Sequence, residues 1–429
     1  MASTFIFLLF FTVPLSFHLN SALNQEGLYL LRVKDSLSDP AGSLSHWSDR
    51  DATPCNWTGI TCDHLNSVVS VNLDSASLSG PFPMFLCRLP SLSRLSLSNN
   101  SINSSLPVSI WSCRNLTYLD LSENLFVGTL PYSLADIRSL RYINFEANNF
   151  SGNIPSSFGN FRQLETLRIT ENLLNGTIPA ALGQITSLKS LQLAYNPFSP
   201  GRLPPELGNL TNLEVLWLSD CNLEGPIPES FVGLSRLKNF DLSENNLTGP
   251  IPSLIFKLKS LDQIELYNNM FTGKLPAGWS NLTKLRRFDA SMNGLSGTIP
   301  EELCELPLES LNLYENQLDG QIPESIANSP NLYELRLFEN QLIGSLPSEL
   351  GKNSALQTLD VSYNKLSEHI CRVLDIGLLC TSTFPINRPS MRRVVKMLQV
   401  LADNMPDDAQ KDGKIFPSLY NDCDQESMV

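Results

Sequence analysis

The sequence predicts an α/β repeat solenoid, and three observations predict it. First, one phrase recurs thirteen times across residues 69–366, L-x-x-L-x-L-S-x-N-x-L-x-G-x-I-P, as in LKNFDLSENNLTGPIP at residues 237–252. Second, its asparagine keeps step: Asn100, Asn124, Asn148, Asn172 and Asn196 stand 24 residues apart. After one extra residue the series resumes at Cys221, Asn245, Asn269 and Asn293, and after a repeat one residue short it continues at Asn316, Asn340 and Asn364. Third, a single copy cannot bury its own apolar edge, so the copies must stack, each coil against its neighbours. A period of this length with these leucines is that of a right-handed leucine-rich-repeat solenoid.

The N-terminal residues 1–22 read as an export signal: residues 5–17 are apolar, and Ser21 and Ala22 offer small residues for cleavage. No later stretch reaches the 18 apolar residues of a membrane span, so no direct span is expected. Residues 23–67 form a cap over the first coil. They open with a helix-like run at 25–38 and carry Trp47, Trp57 and the segment CNWTGITC, whose Cys55 and Cys62 are expected to bond. Cys87 and Cys113, 26 residues apart, fall on the outer segments of adjacent coils and can also bridge. Cys304 has no evident partner. Nine N-x-S/T sequons fit an exported glycoprotein: Asn56, Asn99, Asn103, Asn115, Asn149, Asn175, Asn209, Asn246 and Asn281.

Residues 68–367 are the repeats. In each, L-x-x-L-x-L is a short strand with its leucines inward and the intervening residues outward. The asparagine satisfies backbone groups where the chain turns inward, and a buried Cys221 thiol substitutes as a weak donor. Gly-x-Ile/Leu-Pro then turns the chain to the outer face, where proline is tolerated because no ladder donor is needed. After Ser367 the phrase breaks into Glu368-His369-Ile370-Cys371.

Composition narrows the function. A net charge of −13 and a pI near 4.8 argue against a nucleic-acid partner. The four histidines, His18, His46, His64 and His369, form no metal or triad pattern, and no cofactor is implied. What remains is the face of the strands, whose outward residues form columns: Glu165, Thr166, Arg168; Lys189, Ser190, Gln192; Glu214, Val215, Trp217; Lys238, Asn239, Asp241; Asp262, Gln263, Glu265; Arg286, Arg287, Asp289; Tyr333, Glu334, Arg336. An aromatic among mixed charges suits an extended peptide; the bland alternative is an ordinary solvated face.

The cap CNWTGITC followed by 24-residue repeats ending G-x-I-P resembles the plant-specific ectodomains of leucine-rich-repeat receptor kinases. The runs at 286–318 (RRFDASMNGLSGTIPEELCELPLESLNLYENQL) and 331–364 are similar to the HAESA and HAESA-like branch. After the break, residues 368–401 resemble the last helices of a kinase domain, with Asn387-Arg388-Pro389-Ser390-Met391 as the recognisable part, and 402–429 is expected to be disordered. No Gly-rich loop, V-A-I-K lysine, H-R-D or D-F-G occurs in the sequence, so no kinase activity is expected from it. It reads as an internally deleted receptor kinase; a gene-model join, an alternative transcript and a truncated gene all fit.

The resemblance implies a small secreted hydroxyproline-containing peptide as ligand and a coreceptor kinase ectodomain as second partner, in the apoplast. It places the hydroxyproline hydroxyl on the Glu265 carboxylate, with main-chain oxygens of Phe288 and Ser310 holding a bridging water. Trp217, Asp241, Gln263 and Arg287 complete the expected groove. The family's Arg-x-Arg anchor for the peptide's C-terminus has no counterpart, since Arg336 stands alone on its strand. A decoy or inert product and a secreted inhibitor of wall-degrading enzymes are the alternative readings. Residues 370–380, apolar at helical spacing, are expected to dock on the open last coil.

Overall fold

The computed structural model describes residues 23–352 and 354–367. The segments expected to be an export signal (1–22), a kinase-like tail with a docking helix (368–401) and a disordered end (402–429) lie outside the described residues. The chain divides into two units, one ending at Phe198 and the other beginning at Ser199.

The first unit opens with the cap. Helix α1 (Gln25–Ser36) starts at Asn24, whose side chain accepts from the Gly27 amide at 2.8 Å, satisfying one orphan donor of the first turn. Leu30 and Val33 are fully buried. Trp47 and Trp57 stack with centroids 5.3 Å apart, and each indole N–H has an acceptor, Thr58 O and Asp51 Oδ2. The Cys55–Cys62 disulfide is formed, and strand β1 (Ile60–Cys62) runs antiparallel to β2 (Val68–Asn72). Cys87–Cys113 is bonded too, tying together the outer turns Met84–Arg88 and Val108–Ser112.

From β2 onward the strands are parallel and in register. Those of the first unit are β3 (Arg94–Ser96), β4 (Tyr118–Asp120), β5 (Tyr142–Asn144), β6 (Thr166–Arg168) and β7 (Ser190–Gln192). The second unit carries β8 (Val215–Trp217), β9 (Asn239–Asp241), β10 (Gln263–Glu265), β11 (Arg287–Asp289), β12 (Ser310–Asn312), β13 (Glu334–Arg336) and β14 (Thr358–Asp360). Each falls on x-Leu-x within L-x-x-L-x-L, or on Phe or Ile in place of that leucine. The middle side chain is buried, as with Leu167, Leu216, Ile264 and Leu311.

The asparagine ladder works as the sequence predicts. Asn124 accepts the Ile102 amide at 3.0 Å and donates to the carbonyls of Leu97, Leu121 and Ser122. Cys221 is fully buried and donates to Ser219 O at 3.5 Å. One feature was not anticipated. The residue before each of these positions from Asn100 on is left-handed, with φ between 49° and 58°, and includes Ala147, Tyr195 and Met292.

The outer face differs from a helical one. After the proline of G-x-I-P come single 3₁₀ turns, such as Ala180–Gln184 and Ser253–Lys257. These short turns take the tighter 3₁₀ form, which spans the gap at about 2.0 Å per residue. Among the described residues, only the repeat one residue short makes an α-turn there, Glu301–Cys304.

Candidate functional site

The outward positions of β8–β14 form rows, because parallel register sets the same repeat position side by side at about 4.8 Å. One row reads Trp217, Asp241, Glu265, Asp289, Asn312, Arg336, Asp360. A second reads Val215, Asn239, Gln263, Arg287, Ser310, Glu334, Thr358. The residues just ahead of the strands neutralise one another across rungs: Lys238 with Glu214 at 2.6 Å, and Arg286 with Asp262 at 2.6 Å and Glu309 at 3.3 Å. In the first unit Glu165 bridges Arg141 and Lys189 in the same way, and those two cations hold its pKa below the ordinary carboxyl value.

The middle of the first row is acidic. Asp241 accepts three hydrogen bonds, from Ser243 N at 3.1 Å, Ser243 Oγ at 2.7 Å and Ser219 Oγ at 2.6 Å. Asp289 also accepts three, from Ser291 N at 2.9 Å, Ser291 Oγ at 2.5 Å and Asn312 Nδ2 at 3.0 Å. Glu265, between them, accepts one side-chain hydrogen bond among the described residues, from Gln263 Nε2 at 2.8 Å. Burial pushes its pKa up to about 8. Repulsion from Asp289 and Asp241 adds to that, while Gln263 and Arg287 oppose it. The resemblance implies a carboxylate at this position; the burial favours its protonated form, which is a donor as well as an acceptor.

The other expected groove residues fall as follows. Trp217 stands two rungs from Glu265 on its row, its Nε1 donating to Ser219 Oγ at 2.9 Å. Arg287 is exposed, 3.6 Å from Glu309. Phe288 is mid-strand with its ring buried 4.8 Å from that of Trp279. Ser310 opens β12 and turns its hydroxyl to Glu334 at 2.8 Å. Arg336 pairs with Glu334 on its own strand at 3.0 Å. Asp289 was not among the expected groove residues. The signal for it was present, acidic residues at 241, 265 and 289 in one repeat position, but its burial was not legible.

All nine sequon asparagines are exposed, and none lies in strands β1–β14. Among the described residues there is no metal-binding cluster, and no helix long and apolar enough to cross a membrane.

Residues 23–63 match the family described as Leucine rich repeat N-terminal domain. Residues 66–126 and 90–150 match Leucine rich repeat, and 180–341 match Leucine-rich repeat region. The fold superposes on the Arabidopsis receptor kinase HAESA, solved in complex with the peptide hormone IDA and the co-receptor SERK1. The identity is 57% and the TM-score 0.78, over 80% of this chain and 58% of that one. The chain is a leucine-rich-repeat ectodomain homologous to that of HAESA. It spans a little over half of the HAESA chain in that structure. Among Arabidopsis thaliana proteins, Receptor-like protein kinase HSL1 is 56% identical over 93 residues, 21% of this chain and 9% of that protein. A TDR receptor structure is 40% identical with TM-score 0.69, covering 73% of this chain and 54% of that one. Likeness to HAESA at this level accounts for the cap, the ladder and the proline turns together.

Proposed function

We propose that the exposed ladder face around Glu265 binds a short secreted peptide carrying a hydroxyproline, and that a coreceptor kinase ectodomain joins the complex outside the cell. The observation that carries this reading is the half-buried Glu265 carboxyl. It is oriented by Gln263 and set in a row with Trp217 and Asp241, on a face that bears no sequon. A carboxyl group held in a partly dry groove is a strong partner for a ligand hydroxyl, because little solvent competes for it. Exposed Arg287 and half-buried Trp217 supply register and contact area. The homologous HAESA structure with IDA and SERK1 supports the same reading.

Titration calorimetry with a synthetic hydroxyproline-containing peptide and its plain-proline counterpart tests it. The parent chain is expected to prefer the hydroxylated peptide by roughly tenfold, the worth of one hydrogen bond. Glu265→Ala is expected to remove that preference. Equal discrimination by both proteins rules out Glu265 as the hydroxyl partner.

A further inference from the structure

The three carboxyl groups at 241, 265 and 289 are in register on adjacent strands but are not equivalent. The outer two each take three hydrogen bonds, two of them from the serine two residues on, so each is held in place by the fold through its Oδ1. The middle one takes one, from Gln263 on its own strand. The charged groups acting on it are Asp289 and Arg287 from β11 and Asp241 from β9. Arg287 is drawn toward Glu309, which leaves the row without a cation of its own at that point. Three like charges a rung apart cannot all be carried cheaply; burial raises the Asp289 carboxyl too, but Ser291 and Asn312 oppose that, and the proton goes to Glu265, the member with the fewest donors.

We propose that Asp241 and Asp289 are positioning residues for Glu265: one rung to either side and engaged by three hydrogen bonds each, they add to its burial in favouring a protonated carboxyl group that both donates to and accepts from a ligand hydroxyl. This rests on the ligand reading above. Peptide covering the groove removes remaining water from Glu265 and strengthens the preference for the neutral form. Binding is therefore proton-linked: affinity is level from pH 5 to 7 and falls about tenfold by pH 9 as Glu265 ionises beside its neighbours.

The first experiment needs no ligand. A raised folded-state value means that stability is full below the ordinary carboxyl pKa of 4.5 and is lost as pH rises to about 8. The melting temperature of the parent is expected to fall relative to Glu265→Gln between pH 5 and 8, and the gap to stay constant above. Asp241→Asn and Asp289→Asn keep the acceptor oxygen for the serines. They are expected to end that fall roughly a pH unit earlier, because one repulsion is gone while burial remains. Parallel curves for parent and Glu265→Gln, or an unmoved end point in both Asn variants, overturn the proposal. The second experiment measures the affinity of the hydroxyproline-containing peptide from pH 5 to 9. A tenfold fall in the parent, starting at lower pH in the Asn variants, supports the proposal; a rise with pH overturns it. Expected melting curves with no peptide binding at any pH overturn the hydroxyl half of the proposal and the reading of the face. They leave the proton on Glu265 established.

Discussion

At the scale of single residues, the repeat asparagine carries more than its size suggests. Asn148 is buried and accepts from Phe150's counterpart one coil earlier, the Phe126 amide, while donating to the carbonyls of Leu121, Phe145 and Glu146. Asn148→Ala strands several buried backbone groups at once, and a loss of about 3 kcal/mol is expected, read as a lower urea midpoint. Cys221 shows how far the position bends: its thiol donates weakly to Ser219 O, while Asn245 Oδ1 takes the Cys221 and Leu223 amides. Cys304 is different. Its thiol is buried, and burial first, then Glu301 and Glu305, pushes its pKa far up. It is expected to resist iodoacetamide in the native chain at pH 8 and to react once the chain is unfolded; rapid native labelling would show the site to be open.

At the scale of the element, the recurring left-handed residue is the unexpected cost of the coil. The inward turn before each asparagine forces φ near +50°, and the phrase leaves that position unspecified, so Glu, Ala, Tyr and Met all occupy it. Ala147 sits at φ 52°, where its Cβ is strained and no polar side chain compensates. Ala147→Gly is expected to stabilise the first unit by up to about 1 kcal/mol, since relief of the strain outweighs the added freedom of the unfolded chain. A lower melting temperature in this variant would show that the turn holds no such strain. The cap depends on a different device. The Cys55–Cys62 loop is short, and replacing both cysteines by serine is expected to cost about 2–3 kcal/mol, seen as earlier unfolding of the Trp47–Trp57 stack by fluorescence.

At the scale of the whole molecule, repetition replaces a central core. The inner leucines of successive strands are fully buried, as with Leu311 at 1% and Leu335 at 0% exposed, but Leu359 on the last described strand is only half-buried. Each coil relies on the next, so stability is expected to fall steeply when a coil is interrupted and little when an outward residue is changed. The absence of nucleotide-holding motifs from the sequence predicts a whole-molecule result too. Calorimetric titration with ATP is expected to be flat, and saturable heat at micromolar nucleotide would contradict it.

The amino-acid sequence by itself determined the coil, its period and its register. Leucines at fixed offsets can be buried in one way only, and the asparagine can reach its carbonyls in one place only. The cap pairing of Cys55 with Cys62 was legible for the same reason, a short loop with two cysteines ahead of the first strand. The tertiary structure decided the chemistry of the exposed face. Asp241, Glu265 and Asp289 look alike in one dimension, 24 residues apart. The serines two residues after Asp241 and Asp289 are legible in the chain, but only stacking adds the Ser219 and Asn312 donors from neighbouring coils and leaves Glu265 half-buried between two acidic neighbours, and protonation follows from that environment rather than from residue type.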